Sequence, residues 1–193
     1  MDLTQRQQDI IDASIELIAE KGIQQLTIKN LAKKIGMVEA GIYRHFDSKI
    51  NILYTILKVF RAGKDKAMAQ IKKSNLSPLE QLELLFTKRF AQFTKHPAIT
   101  AVIFSEEIFQ NEKQLSEEVY AIMQESQLVI RQVIQSGQEG GQFRTDISAE
   151  QISLLITGAL RLIVTQWRLS GFGFNLQSEG KKLFTNIEKI ISK

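Results

Sequence analysis

The sequence contains no cysteine, two prolines, two histidines and one tryptophan among its 193 residues. Without cysteine there is neither a disulfide nor a thiolate zinc site, and the chain suits a reducing cytoplasm. No apolar run approaches the ~20 residues of a membrane span. The longest, ISLLITGALRLIVTQW, carries Arg161. The first residues, MDLTQRQQD, are polar and acidic, which argues against a signal peptide. Catalytic constellations are also scarce. His45 and His96 are the only imidazoles. The pairs Glu106-Glu107 and Glu117-Glu118 are adjacent, so on a helix they point apart and read as solvated faces. SGQEGG lacks the lysine and spacing of a phosphate-binding loop. No enzyme activity, metal or cofactor is expected.

The positive charge is present and unevenly placed. The net charge is +4. Residues 1–20 carry one basic and five acidic side chains, residues 21–75 twelve basic and three acidic, and the remainder twelve and thirteen. The excess therefore sits in one block, the footprint expected of a phosphate-rich partner. Its stretch 58–73 reads equally as a solvated lysine-rich helix face.

Long segments repeat their apolar residues every 3.6 positions, no segment alternates like a strand, and the chain reads as all-α with about nine helices. The first helix opens at Thr4 with Gln7 as capping-box partner and stops before Gly22. A short second helix follows Thr27 and ends at Gly36. A third begins near Val38 or Glu39 and ends by Phe46. Asp47 or Ser48 caps a fourth that runs to about Lys73. Ser77, Pro78 and Glu80 mark a fresh start, and that helix breaks at His96-Pro97. Two helices are expected over about 98–110 and 112–136, followed by a turn-rich break at SGQEGGQFRTDIS. Ser148 caps a long apolar helix reaching about Leu169, SGFGFN is a loop, and LQSEGKKLFTNIEKII is the last helix.

Helix two, the turn Gly36-Met37-Val38 and helix three form a helix-turn-helix, in which the second helix enters the DNA major groove. The stretch LTIKNLAKKIGMVEAGIYRHFDSKINIL resembles the DNA-binding signature of the tetracycline-repressor (TetR) family. Thr27, Ala32, Gly36, Ile42, Tyr43, His45, Phe46 and Lys49 match its motif, and the resemblance covers about residues 8–54. It implies an N-terminal DNA-binding domain over 1–48, a linking helix over 49–76, and an effector-binding and dimerisation domain over 77–193. It also implies a homodimer that binds a palindromic DNA operator as a repressor and releases it when a small molecule binds. The DNA-facing set is then Thr27, Lys29, Val38, Glu39, Ala40, Gly41, Tyr43, Arg44, His45 and Lys49. Tyr43, His45 and Lys49 fasten phosphates, while Arg44 suits either a guanine edge or a phosphate. Phe46 is expected to be core. Val38 departs from the Ser or Thr usual at that cap, and Gly41 from the usual Thr, Ser or Ala.

The second domain holds most of the phenylalanines. Phe90, Phe93, Phe104, Phe109, Arg161 and Trp167 are the candidate effector-pocket residues, each with an ordinary core or interface role as the alternative. The aromatic lining suggests a hydrophobic or amphipathic effector. The helix 148–169, apolar nearly all round, and the last helix match the family's dimer interface. A DNA-binding dimer without a small-molecule ligand, answering to a protein partner or organising DNA, is the rival reading.

Overall fold

The structure is a computed structural model. It describes residues 3–72, 75–104 and 112–193, with 63–72 described by backbone alone. Nine α-helices lie within these residues: α1 (Gln5–Lys21), α2 (Ile28–Ile35), α3 (Glu39–Tyr43), α4 (Lys49–Lys72), α5 (Pro78–Lys95), α6 (Pro97–Ile103), α7 (Lys113–Glu139), α8 (Ala149–Leu169) and α9 (Leu176–Ile191). A 3₁₀ turn spans Ile23–Gln25. No strand occurs among the described residues beyond an isolated bridge between Phe143 and Ser192.

Short polar residues start the helices by accepting the amide hydrogens that an N-terminus leaves unpaired. Thr4 and Gln7 form a reciprocal capping box on α1. Thr27 Oγ1 accepts from the Asn30 N–H at 3.1 Å, and Ser48 Oγ from the Asn51 N–H at 3.1 Å. Ser77 and Glu80 cap α5 reciprocally. Ser148 and Asn175 cap α8 and α9 through the amides of Gln151 and Ser178.

The chain forms two compact units. The first joins residues 1–64 to 96–120. Its core takes Ile10, Ile11, Leu17 and Ile18 from α1, Leu31 from α2, Ile42 and Phe46 around α3, and Ile52, Leu53, Ile56, Leu57 and Phe60 from α4. Helix α1 packs on α2 and on α6, whose Ala98, Ile99, Val102 and Ile103 are all buried. Burying one such aliphatic side chain contributes about 1.5–3 kcal/mol. That is how an eight-residue and a five-residue helix, unstable alone, are held in place.

The second unit joins residues 65–95 to 121–193. Its most extensive helix contact is α5 on α9, around Phe86, Phe90 and Phe184. The Phe86 ring centroid lies 5.8 Å from that of Phe90 and 5.4 Å from that of Phe184, in edge and tilted geometry. Two glycines allow close approach: a Cβ on Gly180 would collide with the Phe90 ring, and one on Gly137 with the Phe143 ring.

Three expectations are corrected. Helix α7 continues through Ser136-Gly137-Gln138-Glu139 instead of breaking at 136, because Phe143 folds back over Gly137 and its amide bonds the Gly137 carbonyl. By length and composition α8, 21 residues at mean hydropathy 1.2, is apolar enough to cross a membrane. Here one side of it is core, through Ile152, Ile156, Val164 and Trp167. Glu118 is buried, not solvated, and is treated below. Glu106, Glu107 and Phe109 lie outside the described residues.

Candidate nucleic-acid interface and effector unit

The turn between α2 and α3 depends on Gly36. Its φ of 73° and ψ of 33° are left-handed, a region glycine enters without a Cβ clash. Its N–H bonds the Ala32 carbonyl, as does that of Met37 at 2.9 Å. Val38 then begins α3 in extended geometry with no side-chain cap, as its identity predicts. Ile42 and Phe46, four residues apart, face the core at 0% and 4% exposure. The opposite face therefore points outward: Val38, Glu39, Ala40, Tyr43 and Arg44 are exposed, and Gly41, His45 and Lys49 are half-buried. Thr27 and Lys29 are exposed beside them on α2. The structure thus brings all ten DNA-facing candidates into one unit. Gln7 on α1 donates from Nε2 to the His45 carbonyl at 3.5 Å, a tie to α1 that spacing alone does not reveal.

The basic block is partly neutralised. Lys34 Nζ lies 3.3 Å from Glu16 and 2.9 Å from Glu20 on α1, and the hydrogen bond to Glu20 raises its pKa above the usual lysine value. Lys58 and Arg61 both pair with Glu118. Among the described residues Lys21, Lys29, Lys33 and Arg44 have no acidic partner, and all four are exposed. Burial pushes the Lys49 ammonium below its usual value. An anion placed there would favour the charged form again.

The effector-pocket candidates are dispersed. Phe90 and Phe93 are buried on α5. Phe104 is half-buried at the end of α6, in the first unit. Arg161 NH1 lies 3.6 Å from the Met123 sulfur. Trp167 is buried in edge contact with Phe172, centroids 4.6 Å apart. The second unit instead opens a cleft of about 460 Å³ between α5 and α9, with Phe86, Phe90 and Phe184 as its floor and Glu83, Asn175, Ser178 and Lys181 at its rim. Only Phe90 is shared with the six candidates. Next to this aromatic layer Arg89 lies with its guanidinium 5.7 Å from the Phe93 ring, and burial pushes its pKa down to about 10. Neither the cleft nor Arg89 has a periodic signal, since both arise from the packing of α5 within the folded unit.

On α8 the side away from the core carries Leu154, Leu155, Leu162 and Leu169, all 59–76% exposed, and Ile190 on α9 is 56% exposed. Leu155, Leu162 and Leu169 recur every seven residues and so lie along one stripe of α8, with Leu154 beside it.

Two family descriptions match the chain: "Bacterial regulatory proteins, tetR family" over residues 10–54 and "YsiA-like protein, C-terminal region" over residues 62–190. The fatty acid metabolism regulator protein of Bacillus subtilis is 24% identical over 167 residues, 86% of each chain. The HTH-type transcriptional repressor KstR2 of Rhodococcus jostii is 28% identical over 151 residues, 75% of this chain and 71% of that one. The structure of the transcriptional regulator FadR from Bacillus subtilis in complex with stearoyl-CoA superposes with a TM-score of 0.79 at 22% identity, over 95% of this chain and 97% of that one. The fold is shared with it.

Proposed function

From the premise that the chain belongs to the TetR family of bacterial transcriptional regulators, we propose that it is a homodimeric repressor of a palindromic operator, released by an amphipathic effector carrying a long apolar chain. The observation that carries this reading is the outward face of α3. Glu39, Ala40, Tyr43 and Arg44 are exposed while Ile42 and Phe46 anchor the same helix in the core, so the face is rigid and available to a groove. Residues 1–48 read DNA, residues 49–76 link, and residues 77–193 bind the effector and dimerise. Small residues at Ala40 and Gly41 let the helix approach base edges. Tyr43, His45 and Lys49 hold phosphates, with Thr27 and Lys29 beside them.

The α8 stripe and Ile190 suit a second copy of the chain, which would cover them and supply the second reading head that a palindrome needs. Two similar proteins support the effector class. One relative regulates fatty acid metabolism, and a protein of the same fold holds stearoyl-CoA. The aromatic interior of the second unit and the half-buried cation Arg89 fit an effector that is apolar along most of its length and anionic at one end.

A genomic pull-down tests the reading. Purified protein is mixed with sheared DNA from its own organism at near-physiological salt, and bound fragments are sequenced. Enrichment of a palindrome whose half-sites lie about one helical turn apart, lost on adding long-chain acyl thioesters, is the expected result. Fragments bound without sequence preference would favour a DNA-organising role and overturn the repressor. Specific binding that ignores acyl thioesters would overturn the effector class alone.

A further inference from the structure

Glu118 is the most unexpected side chain in the molecule. It is the sixth residue of α7, on the apolar face that Leu115 and Ile122 define, and its side chain is 6% exposed. Its two oxygens are divided between two cations of α4: Oε2 lies 3.2 Å from Lys58 Nζ and Oε1 lies 3.1 Å from Arg61 NH1. Lys58 also lies over the Tyr54 ring, 5.1 Å from its centroid. A carboxylate out of water is retained only when its oxygens are paired, so this position is specified by both helices together.

The geometry does something that apolar packing cannot. Leucine and isoleucine contacts tolerate sliding and small rotations, because they have no preferred direction. Two cations three residues apart are stacked on one face of α4. Gripping a separate oxygen each, they fix both the rotation of α4 and its register against α7. The same helix begins at Lys49, behind the Ser48 cap, nine residues before Lys58. At 1.5 Å per residue Lys49 stands about 13 Å from the latch, and a tilt of about 10° there moves it by roughly 2 Å. A phosphate hydrogen bond does not survive such a displacement.

We propose that Glu118 is a positioning residue for operator recognition: with Lys58 and Arg61 it locks α4 in the one register that presents Lys49, and the helix-turn-helix packed ahead of it, to DNA. The proposal rests on the operator-binding reading above for its consequence, and on the ion pairs alone for the lock.

Both parts are tested on the full chain with Glu118→Gln, which keeps the shape and removes the charge. The chain has no cysteine. Lys33→Cys and Gln114→Cys, both exposed, therefore provide the only two spin-label sites. Pulsed electron–electron resonance, with labelled chains diluted into unlabelled ones, is expected to give one narrow distance when Glu118 is present. With glutamine the distance broadens or shifts by about 2 Å, enough to break a phosphate hydrogen bond. Affinity for the operator recovered by pull-down is expected to fall about tenfold, with helicity by circular dichroism unchanged. An unchanged distance overturns the lock, and does so whether or not an operator exists. A changed distance with operator affinity within about twofold overturns the positioning role. Should the glutamine variant not fold, Arg61→Met leaves Lys58 on the carboxylate and is judged by the same two outcomes.

Discussion

Tyr43, Lys49 and Arg44 stand within seven residues of one another, yet are expected to fail differently when removed. Tyr43→Ala and Lys49→Ala should weaken binding to all DNA alike, and each lost phosphate contact should flatten the log–log salt dependence by about 0.9. Anisotropy titrations across a salt series measure that slope. Arg44→Ala should instead relax preference at one position per half-site, seen by selection from randomised duplexes; a uniform loss would assign it to the phosphates. Lys49 adds a pH signature. Its pKa is depressed in the free protein by burial, and a phosphate raises it again, so complex formation takes up a proton in the alkaline window between the two values. Affinity should fall as pH rises through that window, and Lys49→Ala should remove the dependence. Folding alone runs the other way, because a lysine depressed in the folded state costs stability while charged and that cost fades as pH rises. Gly41 offers a contrasting substitution. A Cβ there meets only the tip of Met37, whose Cε lies 2.8 Å away and can swing aside. Gly41→Ala should stabilise the protein by up to ~1 kcal/mol, measured by denaturant unfolding, while changing base preference.

Among the helices, starts were legible and contacts were not. Thr4, Thr27, Ser77 and Ser148 each announce a helix because a short acceptor satisfies an amide that the helix itself cannot. Val38 announced the reverse, an uncapped α3, and the structure agrees. Glycine and glutamine at 137–138 read locally as a break, yet α7 runs on to Glu139. Phe143, six residues beyond Gly137, is what keeps that turn helical by covering the glycine face. Glu118 differs for a related reason: the adjacent acids Glu117-Glu118 read as a solvated face, while the apolar face at Leu115 and Ile122 takes Glu118 inward. The spacing of three and four residues from those side chains is the signal that could have found it. The α5–α9 cleft has no linear signature at all, since its floor joins residues about a hundred positions apart. That contact is tight enough to test. Gly180→Ala drives a methyl into the Phe90 ring, which is locked by Phe86. It should cost about 1–3 kcal/mol of stability, read by thermal unfolding.

For the molecule as a whole, the proposed dimer rests on the exposed α8 stripe. Leu162→Asp places a charge in the middle of the leucine row, 59% exposed and without a described partner in the single chain. The folded monomer should tolerate it, as an exposed substitution usually changes stability by no more than about 0.5 kcal/mol. The dimer should not, and sedimentation velocity should show the variant at half the mass of the wild type, with operator affinity lost in parallel. A variant that stays dimeric would move the interface off α8.

That leucine row also has a consequence for how much of the protein a cell must make. If only the paired form grips a palindrome, the concentration of competent molecules rises as the square of the chain concentration while most chains are single. A twofold dilution at cell division then removes about three-quarters of the active species in that regime, before any effector is present. The apolar strip on α8, read this way, turns a modest change in copy number into a steep change in gene expression.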